Sequence, residues 1–220
     1  MQIPPTAAGR NGDDSVNSRD SFTPVRIVLA SGSPTRQTLL ANAGVPFAVR
    51  VAPVDERAIA APLIEAGASP ADIATALADA KALAVSAAEP DALVIGADQT
   101  LDRDGILGTK PAGMAEARQQ LAGLAGRSHF LHAAVAVARA GAVTWRHRDS
   151  ARLTMRALGP AAIDRYLARV GDNVLRSVGV YQIEGEGIGL FEAIEGGYFT
   201  ILGLPLLPLL LYLRSQGAIE

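Results

Sequence analysis

The amino-acid sequence predicts an α/β fold with a mixed central sheet flanked by helices. Short apolar runs typical of buried strands alternate along the chain with helical patterns. Two turn signals, Asp104-Gly105 and Ala140-Gly141, indicate hairpins and therefore some antiparallel pairing. Of the 220 residues 49% are apolar, which is enough for a sizeable core. Strands and helices intermixed in this way favour the α/β class with a mixed sheet.

The elements are predicted in chain order from apolar runs and from helix start and stop signals. Residues 1–24 are rich in glycine, serine, aspartate, asparagine and proline, so we predict a disordered tail before a domain at 25–220. The predicted strands are Arg26–Ala30, Phe47–Val51, Leu93–Ala97, Phe130–Ala138, Val143–Met155 and Ile188–Ile194, with a hairpin over Thr100–Lys110. The predicted helices are Thr35–Ala43, Ala71–Ala88, Ala115–Leu124, Pro160–Val170 and Leu206–Ser215.

Capping residues set the predicted helix boundaries. Ser33 has N-cap chemistry, Pro34 suits the first helical position, and Gly44 follows the last turn of the first helix. Pro70 stands at the entry to the alanine-rich helix, and Gly126 follows the third helix.

Composition narrows the classes of function. The formal net charge of −2 argues against a surface that coats DNA or RNA, but a triphosphate needs only a few local cations. The absence of cysteine excludes disulfides, zinc–thiolate sites and cysteine nucleophiles, and it fits a reducing cytoplasm. The first residues show no secretory signal, and the apolar stretch Leu202–Leu213 is too short to span a membrane. We therefore expect a cytoplasmic protein without a nucleic-acid polymer or a membrane as partner.

The segment Ile27–Leu40 combines a strand, a turn and a helix N-terminus. Free backbone N–H groups at such an N-terminus favour an anion, and Ser31, Ser33 and Arg36 add further donors. This arrangement predicts a phosphate-binding turn. The alternative is that Ser33 only caps its helix and that Arg36 is solvated. The Walker pattern Gly-x-x-x-x-Gly-Lys is missing.

Acidic residues at two places are candidates for a general base or a metal ligand. Asp98 directly follows the apolar strand Leu93–Ala97, and a strand that carries an acid to its end frequently places such a group. Asp55-Glu56 form an adjacent pair on a loop, where they could bind a hard divalent cation. The alternatives are a strand-end turn acid for Asp98 and a solvated turn for the pair.

Two lysines and one glutamate are further candidates for contacts with a nucleotide. Lys81 on the alanine-rich helix and Lys110 after the hairpin suit phosphate oxygens as point charges, unless they are ordinary surface lysines. Glu184 lies in the stretch VYQIEGEGIGL, where it could accept hydrogen bonds from a base edge. The G-x-G-x-G spacing in this stretch is not a dinucleotide fingerprint, because no helix follows it.

The ordered motifs together resemble the Maf proteins. LASGSPTRQTLLANAG resembles the opening signature of that family, and VDE, GADQT, KP, EGxGIxLFExxEG and GLPL follow in the family's order over about residues 26–217. The resemblance implies a nucleoside triphosphate pyrophosphatase with an active-site cleft and an architecture shared with the inosine triphosphate pyrophosphatases. It also implies a divalent metal (Mg²⁺ or Mn²⁺), a cytoplasmic location and a frequent homodimer.

The same resemblance implies roles for the candidate residues. Asp98 would accept a proton and bind the metal, and Glu56 would help to hold that metal. Lys81 and Lys110 would contact the phosphates. Ser31, Ser33 and Arg36 would line the phosphate pocket.

Three positions depart from the common family pattern and bear on the choice of base. Thr35 stands where the family usually has an arginine, Gln99 where it has a threonine, and Glu184 where it has a glutamine. Gln99 and Glu184 resemble the branch that prefers 7-methyl-GTP over dTTP and UTP, whereas Thr35 matches neither branch. A carboxylate at 184 can accept from the two N–H donors of a guanine edge, and it favours the positive charge of the methylated base. We therefore expect a preference for guanine-type bases.

Two other functions remain open at this point. The first is a non-catalytic regulator of septum formation that binds nucleotide through the same residues. The second is a sheet-based interaction domain that uses the apolar C-terminal helix as an interface. Turnover would exclude the first function, and nucleotide binding would exclude the second.

Overall fold

A computed structural model describes residues 25–220, and the tail predicted for residues 1–24 lies outside this range. The strands are β1 Ile27–Leu29, β2 Ala48–Val49, β3 Leu93–Arg103, β4 Ile106–Leu107, β5 Ser128–Arg139, β6 Ala142–Met155 and β7 Phe191–Glu195. The helices are α1 Pro34–Asn42, α2 Glu56–Glu65, α3 Pro70–Ser86, α4 Met114–Leu124, α5 Pro160–Val170, α6 Tyr198–Ile201 and α7 Leu206–Ser215. Two short 3₁₀ helices cover Gly171–Arg176 and Glu186–Leu190.

The strands form one mixed sheet, which confirms the predicted fold class. Its order is β2-β1-β3-β5-β6-β7, and β4 pairs with the end of β3. β1 runs parallel to both β2 and β3, whereas the pairs from β3 to β7 are antiparallel. The long strands β3 and β5 pair from Val94↔Ala138 to Asp102↔Phe130, and they form the centre of the sheet.

Helix α3 lies against one face of the sheet through small side chains. Its residues Ala74, Ala78 and Ala82 pack in one buried cluster with alanines of β5. A Cβ atom added at Gly96 of β3 would lie 2.2 Å from the carbonyl oxygen of Ala78, so only glycine permits this approach. The helix backbone therefore lies almost directly on β3.

Larger aliphatic side chains cover the opposite face. Leu40 of α1 and Leu209 of α7 pack with Leu29 and Ile95 of the sheet in a second buried cluster. Helix α1 begins as predicted, with Ser33 as its N-cap and Pro34 at its first position. The two helices therefore fix the β1–α1 turn against the same strands that carry α3 on their other face.

Three predicted features differ from the structure. β3 runs to Arg103, so Asp98 lies in the middle of the strand and not at its tip. Asp55 and Glu56 do not lie on a loop: Asp55 caps α2, and its carboxylate accepts from the N–H groups of Arg57 and Ala58. The last strand begins at Phe191 because the preceding residues form a 3₁₀ helix.

Among residues 25–220, no helix combines the length and the apolar character that crossing a membrane requires.

Candidate active site

A buried lysine joins two carboxylates at the centre of the sheet. The Lys81 ammonium on α3 lies 2.6 Å from Oδ1 of Asp98 and 2.7 Å from Oε1 of Glu56. Asp98 reaches it from the middle of β3, and Glu56 reaches it from the first turn of α2. The structure thus brings together three predicted residues from three separate elements.

The approach of α3 to the sheet explains this geometry. Because Gly96 lets the helix lie close to β3, Lys81 of this helix reaches Asp98, which lies two residues after Gly96 in the strand. The side chains of Lys81 and Asp98 are each 10% exposed, whereas that of Glu56 is 52% exposed. The cluster therefore opens to solvent on the side of Glu56.

The two carboxylates have opposite pKa shifts. Burial raises the pKa of Asp98, and this effect outweighs the attraction of Lys81 and Arg36. Burial also acts to raise the pKa of Glu56, but its hydrogen bond to Lys81 and the charges of Lys81, Lys110 and Arg36 reverse the direction and lower it. Glu56 therefore stays ionised, and Asp98 is the carboxylate that takes up a proton more readily.

Arg36 is buried beneath the β1–α1 turn, so the alternative of a solvated arginine is wrong. Its guanidinium donates to the carbonyl oxygens of Ala97 (2.9 Å) and Gly203 (2.8 Å) and to Oγ of Ser31 (3.2 Å). Burial lowers the pKa of Arg36, and the charges of Asp98 and Glu56 oppose this shift. Arg36 thus provides a fixed positive charge behind the carboxylate cluster.

The two serines of the turn have different partners. Ser33 caps α1 by accepting from the N–H group of Arg36 at 3.4 Å, as the capping alternative expected. Ser31 is buried, and its Oγ accepts from the N–H group of Ser33 at 3.3 Å as well as from Arg36. Thr35 is partly exposed in the first turn of α1, and within residues 25–220 its side chain makes no hydrogen bond.

Gln99 points away from the carboxylate cluster, because successive side chains of a strand face opposite sides of the sheet. Its Nε2 donates to the carbonyl oxygens of Thr200 and Ile201, both at 2.9 Å. These carbonyls belong to α6, so Gln99 links the central strand to this helix.

Lys110 and Glu184 are exposed, and within residues 25–220 no hydrogen bond or ion pair joins Glu184 to the cluster of Lys81, Asp98 and Glu56. Neither forms an ion pair with another residue in the described range 25–220. Lys110 lies near enough to Glu56 for its charge to lower the pKa of that carboxyl group. Glu184 lies on the loop between the two 3₁₀ helices.

The loop that carries Glu184 is held by contacts that the sequence pattern did not reveal. Val180 adopts a positive φ of 60°, a strained backbone for a β-branched residue, and its carbonyl oxygen accepts from the Tyr166 hydroxyl at 3.2 Å. The neighbouring Tyr181 hydroxyl lies 2.6 Å from Nε2 of the buried His129. No local sequence pattern predicts these contacts, because the contacting residues lie on other elements of the fold.

Asp98 and Glu56 are the two carboxylates that Lys81 brings together. Residues 25–220 contain no cluster of three or more histidine, cysteine, aspartate or glutamate side chains that could hold a metal ion. Asp98 and Glu56 nevertheless both approach one cationic atom, Nζ of Lys81, so their oxygens converge on a common point. Magnesium commonly uses one or two carboxylates together with phosphates and water, and this pair fits that pattern.

Fold and site define a mixed α/β protein with buried cations and carboxylates placed beside a helix N-terminus, a combination suited to a phosphorylated ligand. The chain belongs to the Maf-like protein family, whose family model matches residues 26–216. This match confirms the family resemblance that the ordered motifs predicted.

Curated relatives cover nearly the whole described chain. A 7-methyl-GTP pyrophosphatase of Rhizobium meliloti is 54% identical over 194 residues, which are 88% of this chain and 98% of the relative. A protein of the same name from Mesorhizobium japonicum is 55% identical over 89% of this chain and 98% of its own length. A nucleoside triphosphate pyrophosphatase of Nitrobacter winogradskyi is 54% identical over 86% of this chain and 93% of its own length. The percentage of identical residues alone therefore does not decide between the two names of these relatives.

Proposed function

We propose that this protein is a nucleoside triphosphate pyrophosphatase that releases the nucleoside monophosphate and diphosphate. The observation that carries the proposal is the cluster in which Lys81 joins Asp98 and Glu56 at 2.6 and 2.7 Å. A general base, a metal-binding carboxylate and a phosphate-binding cation then lie within one site. The names of the relatives, which include both 7-methyl-GTP pyrophosphatase and nucleoside triphosphate pyrophosphatase, support the same reaction.

In the proposed mechanism Asp98 accepts the proton of the attacking water. Its raised pKa brings its basicity closer to neutral pH, where a general base works best. Lys81, Lys110 and the buried charge of Arg36 stabilise the negative charge that develops on the phosphates. The first turn of α1, with Ser31 and Ser33, supplies further donors to the phosphate oxygens.

We also propose that Asp98 and Glu56 hold a divalent metal, Mg²⁺ or Mn²⁺. When bound, the metal would neutralise phosphate charge and promote ionisation of water. The convergence of both carboxylates on Lys81 supports this donor set. The phosphates and water would complete the coordination, because residues 25–220 contain no cluster of three or more potential metal ligands.

The proposed substrate is a nucleotide with a guanine-type base such as 7-methyl-GTP. The exposed carboxylate of Glu184 has no partner within residues 25–220, so it is free to accept from the N1–H and N2–H donors of guanine. A pyrimidine lacks that pair of donors. The 7-methyl group also makes the base cationic, which favours a carboxylate over the glutamine found in other family members.

A product-resolved nucleotide panel tests the proposal. We expect diphosphate and monophosphate from 7-methyl-GTP and GTP in the presence of Mg²⁺ or Mn²⁺, a higher kcat/KM than for dTTP and UTP, and no turnover after chelation with EDTA. Release of orthophosphate alone would contradict the reaction, and faster turnover of dTTP would contradict the base preference. Tight binding of nucleotide without turnover under either metal would favour the regulator instead.

A further inference from the structure

One face of β3 meets α3 at three alternate residues, Gly96, Asp98 and Thr100. These residues point to the same side of the sheet, because successive side chains of a strand alternate. Gly96 admits the backbone of the helix, and Asp98 binds Lys81. The hydroxyl group of Thr100 donates to the carbonyl oxygen of Pro70 at 2.8 Å. Thr100 thus ties the start of α3 to the same strand that carries Asp98.

The hydrogen bond from Thr100 to Pro70 is buried. Thr100 is only 4% exposed, and Pro70 is the buried first residue of α3. A buried hydrogen bond matters because a carbonyl or hydroxyl group without a partner is costly away from water. The ion pair between Arg148 and Asp72 also holds the first turn of α3, but it is exposed and contributes little. The contact of Thr100 is therefore the stronger polar link between this turn and the sheet.

Helix α2 rests on the half of α3 that Thr100 holds. Ala60 of α2 is buried in one cluster with Ile73 and Leu77 of α3. Residues 66–69 form a short turn that joins the end of α2 to the start of α3. A shift of the start of α3 away from β3 would therefore move α2 as well, and with it the carboxylate of Glu56 in the first turn of α2.

We propose that Thr100 is a positioning residue, which holds the start of α3 against β3 and thereby brings Glu56 into contact with Lys81. Its hydroxyl group binds Pro70, so it acts through the position of the two helices and not through a contact with the nucleotide. The side chain of Glu56 is 52% exposed, so its place in the cluster depends on where α2 lies. This inference rests on the proposed function, because it assigns a metal to Asp98 and Glu56.

Crystal structures of Thr100→Val and Thr100→Ser test the positioning directly. Valine keeps the branched shape without the hydroxyl group, and serine keeps the hydroxyl group. In Thr100→Val we expect Oε1 of Glu56 and Nζ of Lys81, which lie 2.7 Å apart in the wild type, to move beyond hydrogen-bond range. Thr100→Ser should keep the contact. An unchanged contact in Thr100→Val would overturn the inference, and Thr100→Ala replaces this variant, with the same expectation, if the valine protein does not fold.

The affinity for Mn²⁺ gives a readout that does not depend on turnover. Mn²⁺ is titrated in the presence of a GTP analogue that has a methylene group between the α and β phosphates. We expect the Kd for Mn²⁺ to rise about tenfold in Thr100→Val, as the loss of a group that orients a metal ligand predicts, and to stay at the wild-type value in Thr100→Ser. The matched control is Thr75→Val, because the Thr75 hydroxyl donates to the Ala71 carbonyl within α3 itself. A wild-type Kd in Thr100→Val would overturn the inference.

A double-variant cycle separates positioning from a general loss of stability. If Thr100 acts through Glu56, then Thr100→Val should lower kcat/KM about tenfold in the wild type but less than about twofold in a protein that carries Glu56→Gln. Equal losses in both backgrounds would overturn the inference, because a merely structural role does not depend on the carboxylate. A wild-type protein that hydrolyses no nucleotide would contradict only the proposed function, since the crystal structures still decide whether Thr100 positions Glu56.

Discussion

Asp98 and Lys81 form a buried ion pair in which Oδ1 lies 2.6 Å from Nζ and each side chain is only 10% exposed. Two buried charges of opposite sign support each other, and removal of one leaves the other without compensation. The pair is also open on one side to Glu56. It is therefore a buried structural element of the sheet, and in the proposed mechanism it is also the place where Asp98 accepts a proton.

The first prediction concerns the carboxylate of Asp98. Asp98→Asn keeps an oxygen that can accept from Lys81 but removes the basic group, so kcat should fall by roughly 10²- to 10⁴-fold. Steady-state kinetics together with circular dichroism would check this, because the far-UV spectrum should stay that of the wild type. The matched control is Asp104→Asn in the β3–β4 turn, where asparagine tolerates the φ of 55°. Near-normal kcat in a folded Asp98→Asn protein would contradict the assignment.

The second prediction concerns the carboxylate of Glu184. Glu184→Gln removes the negative charge and one acceptor, so kcat/KM for 7-methyl-GTP should fall about 10- to 100-fold, as the loss of a charge-assisted hydrogen bond predicts. Values for dTTP should stay within about threefold, since that base has no paired donors for the carboxylate. Glu186→Gln is the control, because Glu186 lies two residues further on, at the start of the second 3₁₀ helix, and forms an exposed ion pair with Arg169. Equal losses on both nucleotides would argue against base recognition.

The sequence predicted those parts of the fold that depend on residues close together in the chain. The hairpin turns at Asp104-Gly105 and Ala140-Gly141 follow from residues that adopt positive φ, and the helix start at Ser33-Pro34 follows from capping chemistry. The bounds of the last helix, Leu206–Ser215, also agree with the prediction, and Pro205 directly precedes this helix.

Features that depend on contacts with residues far away in the chain could not be predicted from the sequence. Asp98 and Gln99 interrupt an apolar run and so suggested the end of a strand. β3 continues through them because Lys81 of α3 and the carbonyls of α6 satisfy these polar groups from the two faces of the sheet. Helix α2 was missed because Pro62 interrupts its pattern, although Asp55 caps it in a regular way. Lys81 was identified, but its position between the two carboxylates appears only in three dimensions.

The third prediction concerns the close approach of α3 to β3. In Gly96→Ala the new Cβ would lie 2.2 Å from the Ala78 carbonyl oxygen and 2.5 Å from the Ala82 nitrogen, so the helix must move away from the strand. Thermal or chemical unfolding should show a loss of about 1–3 kcal/mol, typical of overpacking. Activity should fall as well, because the shift moves Lys81. Gly189→Ala, where an added Cβ meets no atom within 4 Å, is the control and should stay near wild-type stability. A stable and fully active Gly96→Ala protein would contradict the packing argument.

The fourth prediction concerns His129 and the dependence of stability on pH. Burial lowers the pKa of His129 to about 4, from 6.5, and its Nε2 lies 2.6 Å from the hydroxyl of Tyr181. Between these two pH values the unfolded chain binds more protons than the folded one, so the free energy of unfolding rises with pH. Above about pH 6.5 the burial of a neutral His129 therefore does not lower the free energy of unfolding. As the pH falls from 6.5 towards 4, the free energy of unfolding decreases by about 3 kcal/mol because of this residue.

Urea unfolding of the wild type and of His129→Gln between pH 4 and pH 7.5 isolates this contribution. Glutamine can still bond to Tyr181 but has no proton to gain, so the variant should be less stable at pH 7.5 and lose less stability on acidification. The difference between the two proteins should shrink as the pH falls, because the carboxylates contribute equally to both curves. His147→Gln on β6 controls for the loss of a partly exposed imidazole at neutral pH. Parallel curves for wild type and His129→Gln would show that His129 is not held neutral by its burial.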